Sequence, residues 1–479
     1  MDKKTSTNIS CRAPIVVVLG HVDHGKTTLL DKIRSANVAG REAGAITQHI
    51  GAYQVGLKND QKITFIDTPG HAAFAQMRSR GAKVADIGLL VVSAEESVKP
   101  QTLESLRFIQ EEKLNYLVVI TKTDLPNADI AKVKNDLVKA GVLLEGFGGD
   151  TPVVPVSAKT GQGIDDLLEM ILLLNEMNPL PADPAAPLEA VVVESRLDPC
   201  RGPLATIIVR NGSLKVGDLL WAGGASAKIK ALFDDLNHPL KSAFPGQPVE
   251  ALGFQQVPAV GEKVTSEAGD RLWQSCPVDL ANLSDQEKQK LRLILRSDTL
   301  GTLEAIMASL PSQVLILKAE PGNINETDVI EAAACGAVLV GFNLKVGSSV
   351  KKLAQTEGVK ILIYQTIYQL IDELQKQADS HLKPETQEEE LGRATVIAEF
   401  LIDKKERVAG ARVDSGQIHK TAPVRLERGD QLICRGRIKT LKKGKLEADK
   451  AVVGEEFGAS FTSEFDFTIG DMLISYRKT

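Results

Sequence analysis

The first third of the chain alternates short apolar runs with amphipathic stretches. The apolar runs are rich in β-branched residues and lie at 15–20, 62–70, 87–94, 116–122 and 152–158. Stretches with helical periodicity, such as TLLDKIRS and TLESLRFIQEEK, separate them. Apolar strands that alternate with helices are typical of βαβ units around a buried parallel sheet. The pattern therefore predicts an α/β domain after a short N-terminal tail, with the tail at 1–12 and the domain at 13–180.

The rest of the chain predicts three further domains. The stretch NPLPADPAAP ends the first pattern, because its four prolines cannot continue a helix. Short strands with Gly and Pro turns then predict a β-barrel at 185–275, and renewed alternation predicts an α/β/α sandwich at 285–382. We expect a linker or an exposed helix at 383–390 and a second β-barrel at 391–479. The predicted fold class is thus multidomain, α/β and β.

The composition is that of a soluble chain with several cores. Of 479 residues, 43% are hydrophobic and 25% are charged. The sequence contains no run of 18 apolar residues, so we expect no membrane span. The start, MDKKTSTNIS, lacks the apolar segment of a signal peptide. The five cysteines lie far apart without a CxxC motif, which indicates a reducing compartment. We therefore expect a cytoplasmic protein without a disulfide framework, a zinc site or a membrane.

The net charge of −5 hides an asymmetry along the chain. From position 391 onward there are 17 Lys and Arg against 13 Asp and Glu, a net charge of +4 that leaves −9 on the rest. A basic end on an acidic body favours a polyanionic partner at that end, although a merely soluble surface explains the charge equally well.

The stretch GHVDHGKTT at 20–28 has two interpretations. Two histidines and an aspartate could hold a metal ion, or the loop could wrap a phosphate chain. The spacing fits G-x-x-x-x-G-K-[ST] between a strand and a helix, where backbone N–H groups converge on phosphates, and this favours phosphate binding. Lys26 would reach the outer phosphates and Thr27 would bind Mg²⁺. The predicted residues are Gly20, His21, Val22, Asp23, His24, Gly25, Lys26, Thr27 and Thr28.

Three later motifs at predicted strand ends, DTPG, TKTD and SAK, together favour GTP over ATP, and SAK at 157–159 can contact the guanine carbonyl through a backbone amide. In DTPG, Asp67 can hold Mg²⁺ through water and the N–H of Gly70 can sense the γ-phosphate, while Asp124 in TKTD can accept both the N1–H and the amine of guanine. Thr47 can close over the γ-phosphate and Mg²⁺ as a switch residue. The predicted metal residues are Thr27, Thr47 and Asp67. The further predicted nucleotide residues are Asp67, Thr68, Pro69, Gly70, His71, Thr121, Lys122, Thr123, Asp124, Ser157, Ala158 and Lys159.

These residues resemble the translational GTPases, and most closely the family of bacterial translation initiation factor 2. The segments EAGAITQHIGAYQV, DTPGHAAFAQMRSRGA and VKPQT resemble its G domain, and LRSDTLGTLEAIMASL and GNINETDVIEAAACGAVLVGFN resemble its third domain. LGRATV resembles the start of its C-terminal barrel. The resemblance spans about 13–475, and the sequence does not include the long N-terminal extension that many members of the family have.

The resemblance implies a function in translation initiation. The family binds and hydrolyses GTP, delivers formylmethionyl initiator tRNA to the small ribosomal subunit and promotes subunit joining. The resemblance also implies that His71 orients the attacking water once the ribosome positions this side chain. GTP turnover should therefore be activated by the ribosome. The implied cofactors are GTP and Mg²⁺, and the implied partners are both ribosomal subunits and initiator tRNA, with the factor a monomer.

Two departures from the family pattern matter. The guanine motif begins with Thr121 instead of Asn, which predicts weaker nucleotide binding with guanine preference retained. In the last barrel, Ala411 and Phe457 occupy positions where the family carries cysteines, so the pocket for formylmethionine could be altered or merely repacked. A basic cluster there remains suited to tRNA phosphates. The tRNA-binding candidates are Arg435, Arg437, Lys439, Lys442, Lys443, Lys445 and Glu456.

Two alternative functions stay open on the sequence. TKTD resembles the guanine motif of selenocysteine-specific elongation factors, although the third-domain segments oppose that assignment. A ribosome-binding module could also use GTP as a structural ligand with little turnover. The presence of Thr27, Thr47, Asp67 and His71 argues against such a module, because it would not need the full hydrolytic set.

Overall fold

The structure is a computed structural model that describes residues 10–34, 47–57, 61–266, 290–382, 388–402, 406–429, 431–444, 446–462 and 467–478. Several predicted features lie outside these residues, namely most of the N-terminal tail, the first part of the switch segment at 41–46, Cys276, the linker residues 383–387 and Lys445. The chain forms two compact units, Met1–Leu382 and Lys383–Thr479, which we describe separately. In the described part, no helix combines the length and apolar character needed to cross a membrane.

The G domain is a sheet with helices on both faces, and it is mixed rather than purely parallel as the sequence pattern predicts, because one edge strand runs antiparallel to its neighbour. Its elements are β1 (Ser10–Cys11), β2 (Ile15–Gly20), α1 (Lys26–Arg34), β3 (Gly51–Gly56), β4 (Lys62–Asp67), a 3₁₀ turn (Ala72–Phe74), α2 (Ala75–Val84), β5 (Ile87–Ser93), α3 (Pro100–Glu111), β6 (Asn115–Thr121), α4 (Ile130–Lys139), β7 (Val153–Pro155), α5 (Ile164–Met177) and β8 (Pro181–Ala182).

The order of the sheet is β3-β4-β2-β5-β6-β7, with β3 antiparallel to β4 and the other pairs parallel. Every residue of β2 and β5 is buried, because helices cover both faces of these central strands. The carboxyl ends of parallel strands meet at one edge of a sheet, and this edge carries the predicted nucleotide motifs.

The second domain is a closed antiparallel barrel. Its strands are β9 (Glu189–Asp198), β10 (Gly202–Asn211), β11 (Leu214–Lys215), β12 (Leu219–Ala222), β13 (Ala225–Phe233), β14 (Pro239–Leu240), β15 (Ser242–Ala243), β16 (Pro248–Phe254) and β17 (Lys263–Thr265). The order β12-β17-β9-β10-β16-β13 closes on itself through the pairing of β12 with β13. Alternating burial along β13 fills the barrel interior with small and branched side chains.

The third domain is an α/β/α sandwich. Its elements are β18 (Leu291–Ser297), α6 (Leu300–Ser309), β19 (Val314–Pro321), α7 (Glu326–Cys335), β20 (Val338–Phe342), α8 (Ser348–Glu357), β21 (Ile361–Tyr364) and α9 (Ile367–Leu382). The parallel sheet has the order β19-β18-β20-β21. Helices α7 and α8 pack on one face, while α6 and α9 pack on the other and share a core with the G domain. The two α/β domains are therefore joined by buried apolar contacts.

The second unit is an antiparallel barrel. Its strands are β22 (Glu388–Ile402), β23 (Glu406–His419), β24 (Pro423–Arg428), β25 (Gln431–Lys443), β26 (Leu446–Glu447), β27 (Lys450–Val452), β28 (Glu456–Phe461) and β29 (Met472–Lys478). The order β22-β29-β24-β25-β28-β23 closes through the pairing of β22 with β23. The fold class predicted from the sequence is confirmed.

The start of this barrel corrects one boundary. Residues 388–390 were assigned to a linker or helix, but they form the first residues of β22. In the register of the sheet, positions 388 and 389 pair with positions 478 and 477 of β29. The run of glutamates is compatible with an exposed helix by composition, and the cross-strand partners lie almost 90 residues away in the chain.

Candidate nucleotide site

The phosphate-binding loop connects β2 to α1 and is shaped by backbone conformations that favour glycine. Gly20 has φ +150°, and a Cβ there would lie 2.4 Å from the carbonyl oxygen of Val91. Gly25 has φ +80° and Asp23 has φ 61°, so the loop turns sharply before the helix begins at Lys26. The predicted loop residues at 20–28 therefore form a concave turn at the N-terminus of α1, the geometry that binds phosphate oxygens.

Lys26 is buried within this loop and spans it. Its Nζ donates to the carbonyl oxygens of Gly20 at 2.9 Å and His21 at 2.5 Å. Burial lowers the pKa of Lys26 to about 8, although the charge of Asp67 partly opposes this shift. The ammonium group lies where the outer phosphates of a nucleotide would replace these carbonyl contacts.

The two loop histidines pack in ways that oppose metal binding. His24 is fully buried, its Nδ1 lies 3.4 Å from the carbonyl oxygen of Val91, and burial lowers its pKa to about 3. Its ring meets that of His21 edge to face, with centroids 5.0 Å apart. Among the described residues, no three His, Cys, Asp or Glu side chains cluster as metal ligands would. His24 is thus a core residue of the loop, and the phosphate interpretation is the one that the geometry favours.

The three residues predicted to bind Mg²⁺ come from three segments, because Thr27 lies in the loop, Thr47 in the switch segment and Asp67 at the end of β4. The hydroxyl oxygens of Thr27 and Thr47 are 2.5 Å apart. Asp67 is 7% exposed at the end of β4, close enough for its charge to act on Lys26. Hydroxyl and carboxylate oxygens are the ligands that Mg²⁺ prefers, so the residues present fit this ion.

The DTPG segment lies against the phosphate-binding loop. A Cβ at Gly70 would lie 2.5 Å from Nζ of Lys26 and 2.9 Å from the backbone nitrogen of Val22, so only glycine allows this approach. Thr68 is buried, and its hydroxyl donates to the carbonyl oxygen of Val18 at 2.7 Å. The backbone of Gly70 is therefore presented to the space that the outer phosphates would occupy.

Two positioning residues were missed in the sequence. Arg78 on α2 is fully buried, and its guanidinium donates to the carbonyl oxygens of Pro69 at 3.0 Å and His71 at 2.5 Å. Gln101 on α3 accepts a hydrogen bond from the backbone N–H of Val22 at 3.0 Å. Both lie within segments that resemble the family, but an arginine and a glutamine on helices carry no signal by themselves.

His71 has a defined orientation at the start of the 3₁₀ turn. Its Nδ1 accepts a hydrogen bond from the backbone N–H of Ala73 at 3.0 Å, so the neutral ring carries its proton on Nε2. Burial and the nearby charge of Arg78 lower the pKa of His71. A neutral ring with Nε2–H is suited to orient a water molecule rather than to remove its proton.

The predicted guanine residues converge at the ends of β6 and β7. The hydroxyl of Ser157 donates to Oδ1 of Asp124 at 2.8 Å, and this hydrogen bond lowers the pKa of the exposed carboxyl. Lys122 has φ 58°, which turns the chain between Thr121 and Asp124. The N–H of Thr123 is bonded to the carbonyl oxygen of Val156. Ala158 and Lys159 follow in the turn after Ser157, and the charge of Lys159 also lowers the pKa of Asp124.

Those tRNA candidates of the second unit that the structure describes do not form one cluster. A pocket of about 590 Å³ is lined by Phe400, Ala411 and Phe457 and also by Lys439, Lys442 and Glu456. A separate groove of about 690 Å³ is lined by His419, Lys420, Arg435, Arg437 and Arg477.

Strand geometry explains this division of the basic residues. Arg435 and Lys442 are seven residues apart on β25, roughly 23 Å along a strand, and the pairing with β28 shifts register between Ile438 and Thr440. Lys443 forms an ion pair with Glu455 instead of facing either site. The sequence suggests one basic cluster, whereas the described residues line a pocket and a separate groove.

Three family models match consecutive parts of the chain. Residues 12–176 match the model of the elongation factor Tu GTP binding domain, 187–267 match elongation factor G domain 2, and 275–375 match translation-initiation factor 2. A solved structure, GDP-bound aIF5B from Aeropyrum pernix, is 27% identical and covers 97% of this chain and 92% of its own, with a TM-score of 0.46.

Curated relatives cover nearly the whole chain. Translation initiation factor IF-2 of Thermotoga sp. (strain RQ2) is 42% identical over 99% of this chain and 72% of its own length. Translation initiation factor IF-2 of Synechococcus sp. (strain CC9902) is 42% identical over 97% of this chain, which spans only 42% of that longer relative. With this identity and coverage, the chain belongs to the translation initiation factor IF-2 family of translational GTPases.

Proposed function

We propose that this chain is a cytoplasmic, monomeric initiation factor that binds GTP with Mg²⁺ and hydrolyses it on the ribosome. The observation that carries the proposal is the convergence of Lys26, Asp67, Gly70, His71 and Asp124 at one edge of the G-domain sheet. That arrangement supplies a phosphate loop, a base selector and a water-orienting side chain. Relatives named translation initiation factor IF-2 support the assignment to initiation.

The chemistry follows from the positions of these groups. Mg²⁺, when held by Thr27, Thr47 and Asp67, would neutralise charge on the outer phosphates. Lys26 and the loop N–H groups stabilise the same charge as it develops. His71 orients water through Nε2 for in-line attack, while Arg78 holds the backbone of Pro69 and His71 in place.

Ribosome-stimulated turnover tests the GTPase proposal. Replacing His71 with Ala should abolish stimulation by assembled ribosomes while leaving GTP and GDP affinity within about twofold, because this side chain contacts the water and not the nucleotide. His49→Asn is the matched control. His49 lies in the neighbouring switch segment and pairs with Asp298, and its replacement should leave ribosome stimulation of GTP turnover unchanged. Stimulated turnover that survives the His71 exchange would reject the proposed role of that residue. Equal loss in both variants would point to general disruption of the switch region.

We further propose that the second unit binds formylmethionyl initiator tRNA and that the factor joins the small and large ribosomal subunits. The pocket, which Lys442 and Glu456 line together with apolar side chains, is suited to an apolar side chain with a polar formyl group. Ala411 and Phe457 face each other across β23 and β28 and line this pocket, so both substitutions keep it apolar.

Protection of aminoacyl esters from hydrolysis tests tRNA capture. The full chain should slow hydrolysis of the formylmethionyl ester more than that of the methionyl ester of the same tRNA. Equal protection of both would remove formyl recognition from the proposal. Preferential protection of a selenocysteinyl ester would reassign the chain to the selenocysteine-type carriers. Failure to protect any ester, combined with GTP-dependent subunit joining, would restrict the function to the ribosome.

A further inference from the structure

The ring of His71 packs against a residue of the third domain. The centroids of His71 and Tyr368 are 4.2 Å apart, and the ring planes are at 88°, an edge-to-face contact. Phe74 approaches the same imidazole with a centroid distance of 6.1 Å. Together with the hydrogen bond from Ala73 N–H to Nδ1, these rings define one orientation of the imidazole. Any rotation of His71 toward another position must break the contact with Tyr368.

The first turn of α9, which carries Tyr368, is fixed to the switch segment. The side-chain Nε2 of Gln48 donates to the carbonyl oxygen of Gln365 at 2.9 Å, and its Oε1 accepts from the N–H of Ile367 at 3.3 Å. Gln48 and Ile367 are both buried. Since Gln48 directly follows Thr47, the position of Tyr368 is tied to the segment predicted to close over the γ-phosphate.

Tyr368 also lies near the phosphate-binding loop. Burial and the charge of Asp23 raise the pKa of its hydroxyl. The side chain nevertheless remains 42% exposed, so it is not needed to fill a core. Its ring thus touches the candidate catalytic side chain and lies within electrostatic reach of the loop, while the helix that carries it belongs to a different domain.

We propose that Tyr368 is a positioning residue that holds His71 in its packed orientation and thereby restrains GTP hydrolysis away from the ribosome. This inference rests on the proposed GTPase function. An edge-to-face pair stabilises the packed ring, so its removal should increase the fraction of His71 that is able to rotate. The third domain then acts on the G domain through a single aromatic contact, and release of that contact is one step of activation.

Single-turnover GTP hydrolysis by the full chain without ribosomes tests this inference. Tyr368→Ala and Tyr368→Leu should raise the rate about two- to tenfold, the range that an aromatic pair of this kind corresponds to. Tyr368→Phe retains the ring and should restore the restraint. Ile330→Ala, an exposed apolar residue on α7 of the same domain, controls for unspecific loosening and should leave the rate unchanged.

A double-mutant cycle separates positioning from structural damage. In a His71→Ala background, Tyr368→Ala should give no further increase, because the restraint acts only through the imidazole. A rate equal to or below wild type in both Tyr368 variants, or a gain that persists without His71, would overturn the inference.

Nucleotide affinity distinguishes this failure from failure of the proposed function. A wild-type chain that does not bind GTP, or binds it without any ribosome-stimulated turnover, removes the proposed activity and this inference together. A wild-type chain that is active while the Tyr368 variants behave like wild type leaves the GTPase standing and removes only the restraint.

Discussion

The hydroxyl of Thr121 donates to the carbonyl oxygen of His24 at 2.6 Å and thereby joins the guanine motif to the phosphate-binding loop. Both residues are buried, and the same hydroxyl lies 3.4 Å from the carbonyl oxygen of Val92. An asparagine at this position could brace the loop and the base together. A threonine hydroxyl has one proton to donate, and here it is directed to the loop.

Removing this hydroxyl should therefore weaken GTP and GDP binding to a similar extent. Thr121→Val preserves the shape but leaves the carbonyl of His24 without this donor, which should cost about 1–2 kcal/mol, roughly a tenfold loss of affinity for each nucleotide. Thr121→Ser keeps the donor and is the matched control. Competition with a fluorescent GDP analogue measures both. A valine variant with wild-type affinity would show that the hydrogen bond does not hold the loop.

Asp124 should select guanine over other bases through its carboxylate oxygen that does not accept the hydrogen bond from Ser157. The hydroxyl of Ser157 engages Oδ1, so in Asp124→Asn the amide oxygen is expected to take that bond and the NH₂ to face the base. The amine of guanine would then lose its acceptor, at a cost of about 3 kcal/mol, or roughly a hundredfold in GTP affinity.

Xanthine tests the effect of the Asp124→Asn exchange, because it has a carbonyl in place of the guanine amine and can accept a hydrogen bond from the NH₂ of Asn. Xanthosine triphosphate should bind the Asn variant more tightly than GTP does, while wild type should prefer GTP over both ATP and xanthosine triphosphate. Adding Ser157→Ala to Asp124→Asn should reduce the preference for xanthosine triphosphate over GTP, because the side-chain amide of Asn is then no longer oriented by the serine hydroxyl. Comparable GTP and ATP affinity in wild type would contradict the assignment of Asp124.

The contrast between these residues and Arg78 explains what sequence patterns can predict. Lys26, Asp67 and Asp124 were predictable, because each belongs to a short motif whose spacing follows from the strand–loop–helix geometry around it. Arg78 acts on carbonyl oxygens seven and nine residues earlier, and Tyr368 acts on a ring almost 300 residues away. Such contacts depend on how domains pack, which local spacing does not encode.

The errors in the second unit have the same origin. Position 388 belongs to a strand because the backbone of β29 pairs with it, and the basic residues of β25 are divided by a shift of register near Ile438. Periodicity predicts that strands exist, but the pairing partner and the position of a bulge are set by the closed barrel. A sequence that alternates basic and apolar residues therefore suggests one basic cluster, although the described residues line a pocket and a separate groove.

The lowered pKa of Lys26 predicts a pH dependence of nucleotide affinity. Phosphate binding requires the ammonium form, and burial lowers the pKa of the free side chain to about 8. Below this pH the group is charged before and after binding, and affinity should be constant. Above it, binding must take up a proton, so GDP affinity should fall roughly fourfold between pH 7.0 and 8.5. Fluorescence titration across this range measures the slope.

Lys26→Arg is the control for this slope. Arginine stays protonated over the whole range, so its affinity, even if lower than that of lysine, should not change between pH 7.0 and 8.5. Guanine itself titrates only at higher pH, which is why the range ends there. A wild-type affinity that is flat with pH, or an Arg variant with the same slope, would show that the proton uptake does not occur at Lys26.

The division of the second unit into a pocket and a groove predicts two kinds of mutational effect on tRNA binding. Arg437 and Arg477 line the groove, and none of the described residues that line it is acidic, so it should contact phosphates. Arg437→Gln and Arg477→Gln should each lower the affinity for formylmethionyl-tRNA and for methionyl-tRNA by the same factor. Each should also reduce the slope of log affinity against log salt by about 1, since one fewer counterion is released.

Pocket variants should behave in the opposite way. Phe457→Ala removes part of the apolar lining and should reduce the preference for the formylated ester, with the salt slope unchanged. Lys450→Gln, an exposed lysine of β27 that lines neither site, should change neither quantity. Filter binding at several salt concentrations gives both the slope and the preference. Groove variants that alter formyl preference, or a Phe457 variant that alters only the slope, would mean that the two sites do not divide recognition between phosphate and amino acid.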